Sequence, residues 1–175
     1  MKWVGQNVHD LVTRFRNTVY TESLRPSGQI HMTHHNFSDD VDTTKHYVGL
    51  ADADSENTST THIDMPLVFP TASKLLRIYF RCNKDLTTHT LTWRLETQAP
   101  GVAFGIGPSI VGTQSGAGSD NDTITTYDFT SSLDSGDNII DAGDAVYLSM
   151  QSNTDLGAIT KHYITCVWEV DFSSI

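Results

Sequence analysis

Two stretches decide the fold: Leu75-Leu76-Arg77-Ile78-Tyr79-Phe80-Arg81-Cys82 and Leu91-Thr92-Trp93-Arg94-Leu95-Glu96. In the first, Leu76, Ile78, Phe80 and Cys82 alternate with Leu75, Arg77, Tyr79 and Arg81. In the second, Leu91, Trp93 and Leu95 alternate with Thr92, Arg94 and Glu96. Successive side chains of a strand point to opposite faces, so a period of two puts one row in a core and the other in water. Asn83-Lys84-Asp85-Leu86-Thr87 between them reads as a hairpin turn. The expectation is a pair of antiparallel neighbours with one shared core face.

The same period extends outward. Ile164, Cys166, Trp168, Val170 and Phe172 form an inward row, with Tyr163, Thr165, Val167, Glu169 and Asp171 opposite. This last segment is expected inside a sheet rather than as a loose tail. Asp141-Ala142-Gly143-Asp144 is a turn that launches Val146, Leu148 and Met150. Strands are also expected over 29–37, 45–50, 63–69 and 123–129. Pro66 and Pro70 mark the third of these as an edge or a bulge. Residues 51–61 read as a polar loop, and 99–121, rich in Gly, Ser and Pro, as a long loop holding a short strand or two. About eight closely spaced strands joined by Gly, Asn and Asp turns predict an all-β, antiparallel β-sandwich of jelly-roll type.

One segment has a different period. Val4, Val8, Leu11 and Phe15 are spaced four, three and four, and Val19 extends the stripe. That predicts a short amphipathic helix over 4–20. A helix of this length is marginal alone. It must dock on its own domain or pair with copies of itself, which makes Val4, Val8, Leu11 and Phe15 candidate oligomerisation residues. Leu24-Arg25-Pro26-Ser27-Gly28 ends it. The organisation expected is residues 1–24 as an anchor or short stalk and 25–175 as one sandwich domain.

Composition narrows the partners. The chain has 175 residues and a formal charge of −10, and only 18% of its residues are charged. Ser and Thr supply 39 residues. An acidic chain repels phosphate backbones and anionic lipid, which argues against nucleic acid and membrane surfaces as partners. No stretch has the 18 or so apolar residues of a spanning helix, and Met1-Lys2-Trp3-Val4-Gly5-Gln6-Asn7 lacks the apolar run of a signal peptide. Cys82 and Cys166 both fall on expected core faces, read as two buried thiols, with a disulfide between them as the alternative. Assembly in a reducing cytoplasm is expected.

Sites for chemistry are sparse. His31-Met32-Thr33-His34-His35 puts His31 and His35 on one face of a strand and His34 on the other. His31 and His35 are candidate metal ligands only if something else completes the site; otherwise they are polar surface residues. Asp52-Ala53-Asp54-Ser55-Glu56-Asn57 spaces Asp52 and Asp54 like the start of a calcium loop. It lacks the glycine and the distal glutamate of an EF-hand, and a solvated loop is the plainer reading. Glu96 and Glu169 lie on strands, as glycosidase carboxylates do, but four glutamates make such a match easy. No nucleophile elbow, phosphate loop or zinc-protease helix is present. No catalytic residue and no cofactor are expected. Trp3, Trp93, Trp168, Tyr47 and Tyr127 are the aromatics a carbohydrate-binding module would expose, with Trp93 and Trp168 expected in the core.

Lys2-Trp3-Val4-Gly5-Gln6-Asn7-Val8-His9-Asp10-Leu11-Val12-Thr13-Arg14-Phe15-Arg16-Asn17 resembles a segment of fibre and other virion proteins of marine tailed bacteriophages. There it precedes a β-rich terminal domain. The stretch from Lys74 to Cys82, the Asp141–Asp144 turn and the final strand are similar to those terminal domains, and to trimeric jelly rolls of the tumour-necrosis-factor and complement type. The resemblance implies a non-enzymatic virion protein, assembled in the host cytoplasm as a homotrimer. Its partners would be other virion proteins and, at a fibre tip, a host surface glycan. It hands over no catalytic residues. Chains of this kind usually carry long repetitive stalks, and no internal repeat is found here. The short form favours a capsid decoration or head-fibre role over a tail fibre. A shell-forming capsid protein is disfavoured by the acidic charge and the lack of a basic arm.

Overall fold

A computed structural model describes residues 28–50, 66–102, 107–130, 138–157 and 160–171. The expected helix with Val4, Val8, Leu11 and Phe15, and the loop with Asp52 and Asp54, lie outside the described residues.

The described residues form ten strands: β1 (Gln29–Asp39), β2 (His46–Val48), β3 (Leu67–Val68), β4 (Ser73–Cys82), β5 (Thr90–Gln98), β6 (Ser109–Ala117), β7 (Ile124–Asp128), β8 (Ile139–Ile140), β9 (Ala145–Ser152) and β10 (Thr160–Val170). They make two antiparallel sheets. The first has the order β1-β10-β4-β7, with β8 beside β4; the second has the order β2-β9-β5-β6, with β3 beside β9. The pairing is nested: β1 with β10, β2 with β9, β4 with β7, and β5 with β6. A long antiparallel hairpin rolled up on itself gives this pattern, which is the jelly roll.

The core lies between the sheets. Trp93 of β5 and Phe80 of β4 meet across it with ring centroids 5.5 Å apart, and Trp93 also meets Tyr127 of β7 at 5.7 Å. Trp168 of β10 packs on Phe69 at 5.1 Å. Trp93, Trp168, Phe129, Leu75, Ile78 and Leu148 are all completely buried. Aromatic pairs at such distances add about 0.5–1.5 kcal/mol each beyond the area they bury.

Three expectations need correction. First, β4 and β5 are not hairpin neighbours. β4 pairs with β10 and β7, β5 with β9 and β6, and the chain between them crosses from one sheet to the other. Alternation gives each strand a core face without saying which sheet carries it. Leu86 is buried in the crossing, and its backbone N donates to Ser119 O at 2.9 Å. Second, Leu75 rather than Leu76 is fully buried at the start of β4. Val167 pairs with Arg77 and Trp168 with Leu75, so Leu76 is an extra residue in a β-bulge, which reverses the alternation. Third, the glycine-rich stretch expected as a long loop with a short strand or two contains the nine-residue strand β6. Its inward positions include Gly112 and Gly116 instead of large apolar residues, so the period of two is faint and its length was not marked.

The final strand lies inside its sheet, between β1 and β4. Cys82 and Cys166 are both buried and free. Cys166 sits opposite Ile78, not Cys82, and burial pushes its thiol up to about 12. The Asp141–Asp144 turn precedes β9, with Gly143 at φ +85°, a conformation glycine adopts without strain.

Two predictions follow from the packing. A Cβ on Gly118 would lie 2.7 Å from Leu86 O and 2.4 Å from Leu86 Cβ, where the sheet crossing meets the end of β6. Gly118→Ala should therefore destabilise the fold by about 2 kcal/mol, lowering Tm by about 4–8 °C. Gly107→Ala, with open space around it, should not; a thermal melt checks both. The second concerns His35, buried on the inner side of β1 with Nε2 2.9 Å from Thr33 Oγ1. Burial, helped by the neighbouring His34, lowers its pKa to about 4. The unfolded chain takes up this proton near the ordinary value of 6.5, the folded one only near 4. The contribution is full above pH 6.5 and is lost as pH falls toward 4, by about 3 kcal/mol in all. Denaturant melts across that window should show a shallower fall for His35→Gln than for the parent chain.

Candidate functional site

The two sheets present very different outer faces. On the first sheet, the register sets His34, Thr165, Tyr79 and Thr126 in one row and Asn36, Tyr163, Arg81 and Ile124 in the next. Met32, Val167, Arg77 and Asp128 form a third. Residues of the first two rows, His34, Tyr79, Arg81, Ile124 and Tyr163 among them, line a shallow groove of about 280 Å³. His34 Nδ1 lies 2.9 Å from Thr165 Oγ1, and Arg81 Nη2 donates to Asp122 Oδ1 at 3.1 Å. Arg77 Nε donates to Asp128 Oδ2 at 3.3 Å. Around this groove Ile30 is 58% exposed, Met32 56%, Ile124 62% and Tyr163 46%. The face mixes large apolar side chains with bases and acids. Such a surface can be covered by another surface or by a flat ligand.

The second sheet holds a polar network on its outer face. Glu96 of β5 is completely buried there. Its Oε2 accepts from Lys45 Nζ at 3.1 Å and Tyr47 OH at 2.9 Å, and its Oε1 accepts from Ser149 Oγ at 2.7 Å. Beside it, Tyr147 OH donates to Gln98 Oε1 at 3.0 Å and Arg94 Nη2 donates to Gln151 Oε1 at 2.8 Å. Burial, then the bond to Glu96, pushes the Tyr47 phenol well above its ordinary value. The network ties β2, β5 and β9 together with a carboxylate whose acceptor sites are taken, which is how a buried charge is tolerated. Sequence reasoning singled out Glu96 but not its partners. The available signal was a charged residue at an outward strand position facing Ser149 and Tyr47, visible only once the register is known.

The candidates named from the sequence disperse. Glu96 and Glu169 lie on different sheets, on outward positions, so they make no pair. His31 is exposed and His35 buried, and among the described residues no three His, Cys, Asp or Glu side chains come together to hold a metal ion. Asp52 and Asp54 lie outside the described residues, as do Val4, Val8, Leu11 and Phe15. Trp93 and Trp168 are in the core as expected, and Tyr47 and Tyr127 are buried too, so four of the five aromatics considered for sugar stacking are not on the surface. Tyr163, exposed, and Tyr79, half-buried, are the tyrosines that line the groove, and neither was a candidate for stacking from the sequence. No helix among the described residues is long and apolar enough to cross a membrane.

No protein-family model and no curated protein matches the chain. Among solved structures, it is similar to a chain of the cyanophage Pam1 capsid asymmetric unit, at 11% identity over 89% of this chain and 95% of that one, with a TM-score of 0.36. It is also similar to Eiger TNF from S. frugiperda, at 11% identity over 82% of this chain and 94% of that one, with a TM-score of 0.36.

Proposed function

We propose that this chain is a structural protein of a bacteriophage virion, displayed on the particle surface as a capsid decoration, head fibre or fibre tip. In this reading it has no catalytic activity and assembles as a homotrimer in the host cytoplasm, in company with other virion proteins. The observation that carries the proposal is the outer face of the first sheet, where Ile30, Met32, Ile124 and Tyr163 stand exposed on a fold whose core is already closed. Burying apolar area of this kind stabilises association by about 25 cal/mol per Å² before the costs of association are subtracted. The resemblance of residues 2–17 to marine phage virion proteins points the same way. In the trimer, Val4, Val8, Leu11 and Phe15 form or anchor a three-helix stalk.

A second reading is a carbohydrate- or receptor-binding module at a fibre tip. One observation favours it: Tyr79 and Tyr163 line a groove that also holds Asn36 and Arg81, an aromatic platform beside polar donors. A glycan array of the purified chain decides this alternative, which requires binders that Tyr163→Ala loses.

For the leading reading, light scattering of the full chain at micromolar concentration should give the mass of three copies. Val8→Asp combined with Leu11→Asp should lower that mass. A single-chain mass for the parent protein would count against the homotrimer.

A further inference from the structure

We propose that copies of this chain meet along the free side of β1 and the adjoining outer face of its sheet, a second copy covering Ile30, Met32 and Tyr163. This rests on the self-associating reading above and adds to the face which that reading draws on the backbone edge of β1.

A sheet edge presents unpaired backbone donors and acceptors, and proteins that stay single guard their edges. Three edges of this jelly roll are guarded. β2 has three residues and β7 has five. β6 is interrupted by a register shift opposite Leu95 and Glu96, and Asn138 N donates to its Val111 O at 2.7 Å. Among the described residues, β1 has none of these protections. It runs for eleven residues in unbroken register with β10, with no proline. Among the described residues, no backbone group outside β10 hydrogen-bonds to it.

The side chains agree with the backbone. Ile30, Met32 and His34 project outward from β1, and His31 is exposed on the other side. Five of the eight large apolar side chains that are exposed among the described residues belong to this sheet: Ile30, Met32, Ile124, Ile139 and Tyr163. An exposed strand with this character is a template for another chain.

Charge selects a second copy as the occupant. Two chains of net charge −10 repel each other through most of their surface. Of the eleven residues of β1 only the last, Asp39, is charged. The adjoining face carries Lys74, Arg77, Arg81 and Lys161 against Asp122, Asp128, Glu169 and Asp171, whereas the described chain beyond β1 and this face has three bases and eight acids. This charge-balanced region is where a copy meets a like-charged copy with the least repulsion.

The test is the mass of the full chain in solution with lysines placed on the edge, Ile30→Lys with Met32→Lys. The expected result is a threefold fall, from three copies to one, with circular dichroism unchanged because neither side chain belongs to the core of the single chain. Ile110→Lys, on an exposed position of β6, should leave the mass intact. Hydrogen exchange on the parent chain serves if the double variant fails to fold. Amides on the free side of β1 should be protected in the oligomer and lose that protection on dilution; exchange at loop rates in the oligomer overturns the proposal. An edge variant that keeps the mass of three, while Val8→Asp with Leu11→Asp dissociates it, overturns this contact and leaves the homotrimer standing. A parent chain that is single across the micromolar range overturns both.

Discussion

The jelly roll depends on β10 being held between β1 and β4. It is the last strand in the described chain, yet it pairs with the first on one side and with the fourth on the other. Its inward row of Ile164, Cys166, Trp168 and Val170 fills the core beneath both neighbours. Until it is in place, β1 has no partner and the first sheet is a β4–β7 ribbon. Each nested pair spans a long stretch of chain, so the loop-closure entropy must be met before most contacts form. The fold is therefore cooperative by topology, and the fully buried Trp168 carries much of the enforcement.

That topology explains which parts of the fold are legible in the sequence. Period-two alternation identified β4, β5, β9 and β10, because each has one face on a core of large apolar residues. The pairing of those strands is another matter. Alternation is a property of one strand and one face; the choice of sheet is a property of the closed structure. Asn83–Thr87 has hairpin composition, yet Leu86 points into the core and carries the chain across it. The bulge at Leu76 is equally silent, since Leu75 and Leu76 are interchangeable until the register against Trp168 is known. β6 was hidden because its glycines serve close packing rather than turns. Gly116 lies against the Tyr127 ring, where a Cβ would be 3.3 Å from Cε1.

The sites were less legible than the fold. The metal candidates His31 and His35 share a face of β1, as their spacing implies, but one is exposed and the other is buried with a depressed pKa, a difference of depth that spacing does not give. The groups that do converge, Lys45, Tyr47, Glu96 and Ser149, come from three strands far apart in the chain. Their spacing in sequence has no motif because the register of β2, β9 and β5 brings them together.

The contrast between the two outer faces then becomes a statement about use. On the second sheet, charged and hydroxyl groups are consumed internally, with Glu96 satisfied by three donors from within the same face. On the first sheet, the ion pairs Arg77–Asp128 and Arg81–Asp122 are half exposed, and exposed pairs of this kind contribute little to stability. Large apolar side chains stand among them at a cost in solubility that folding does not recover. Beside that face runs β1, an eleven-residue edge strand to which no described backbone group outside β10 hydrogen-bonds, and edge and face together form the surface on which the proposed contact between copies rests. The face carries as many bases as acids, whereas the rest of the described chain is acidic.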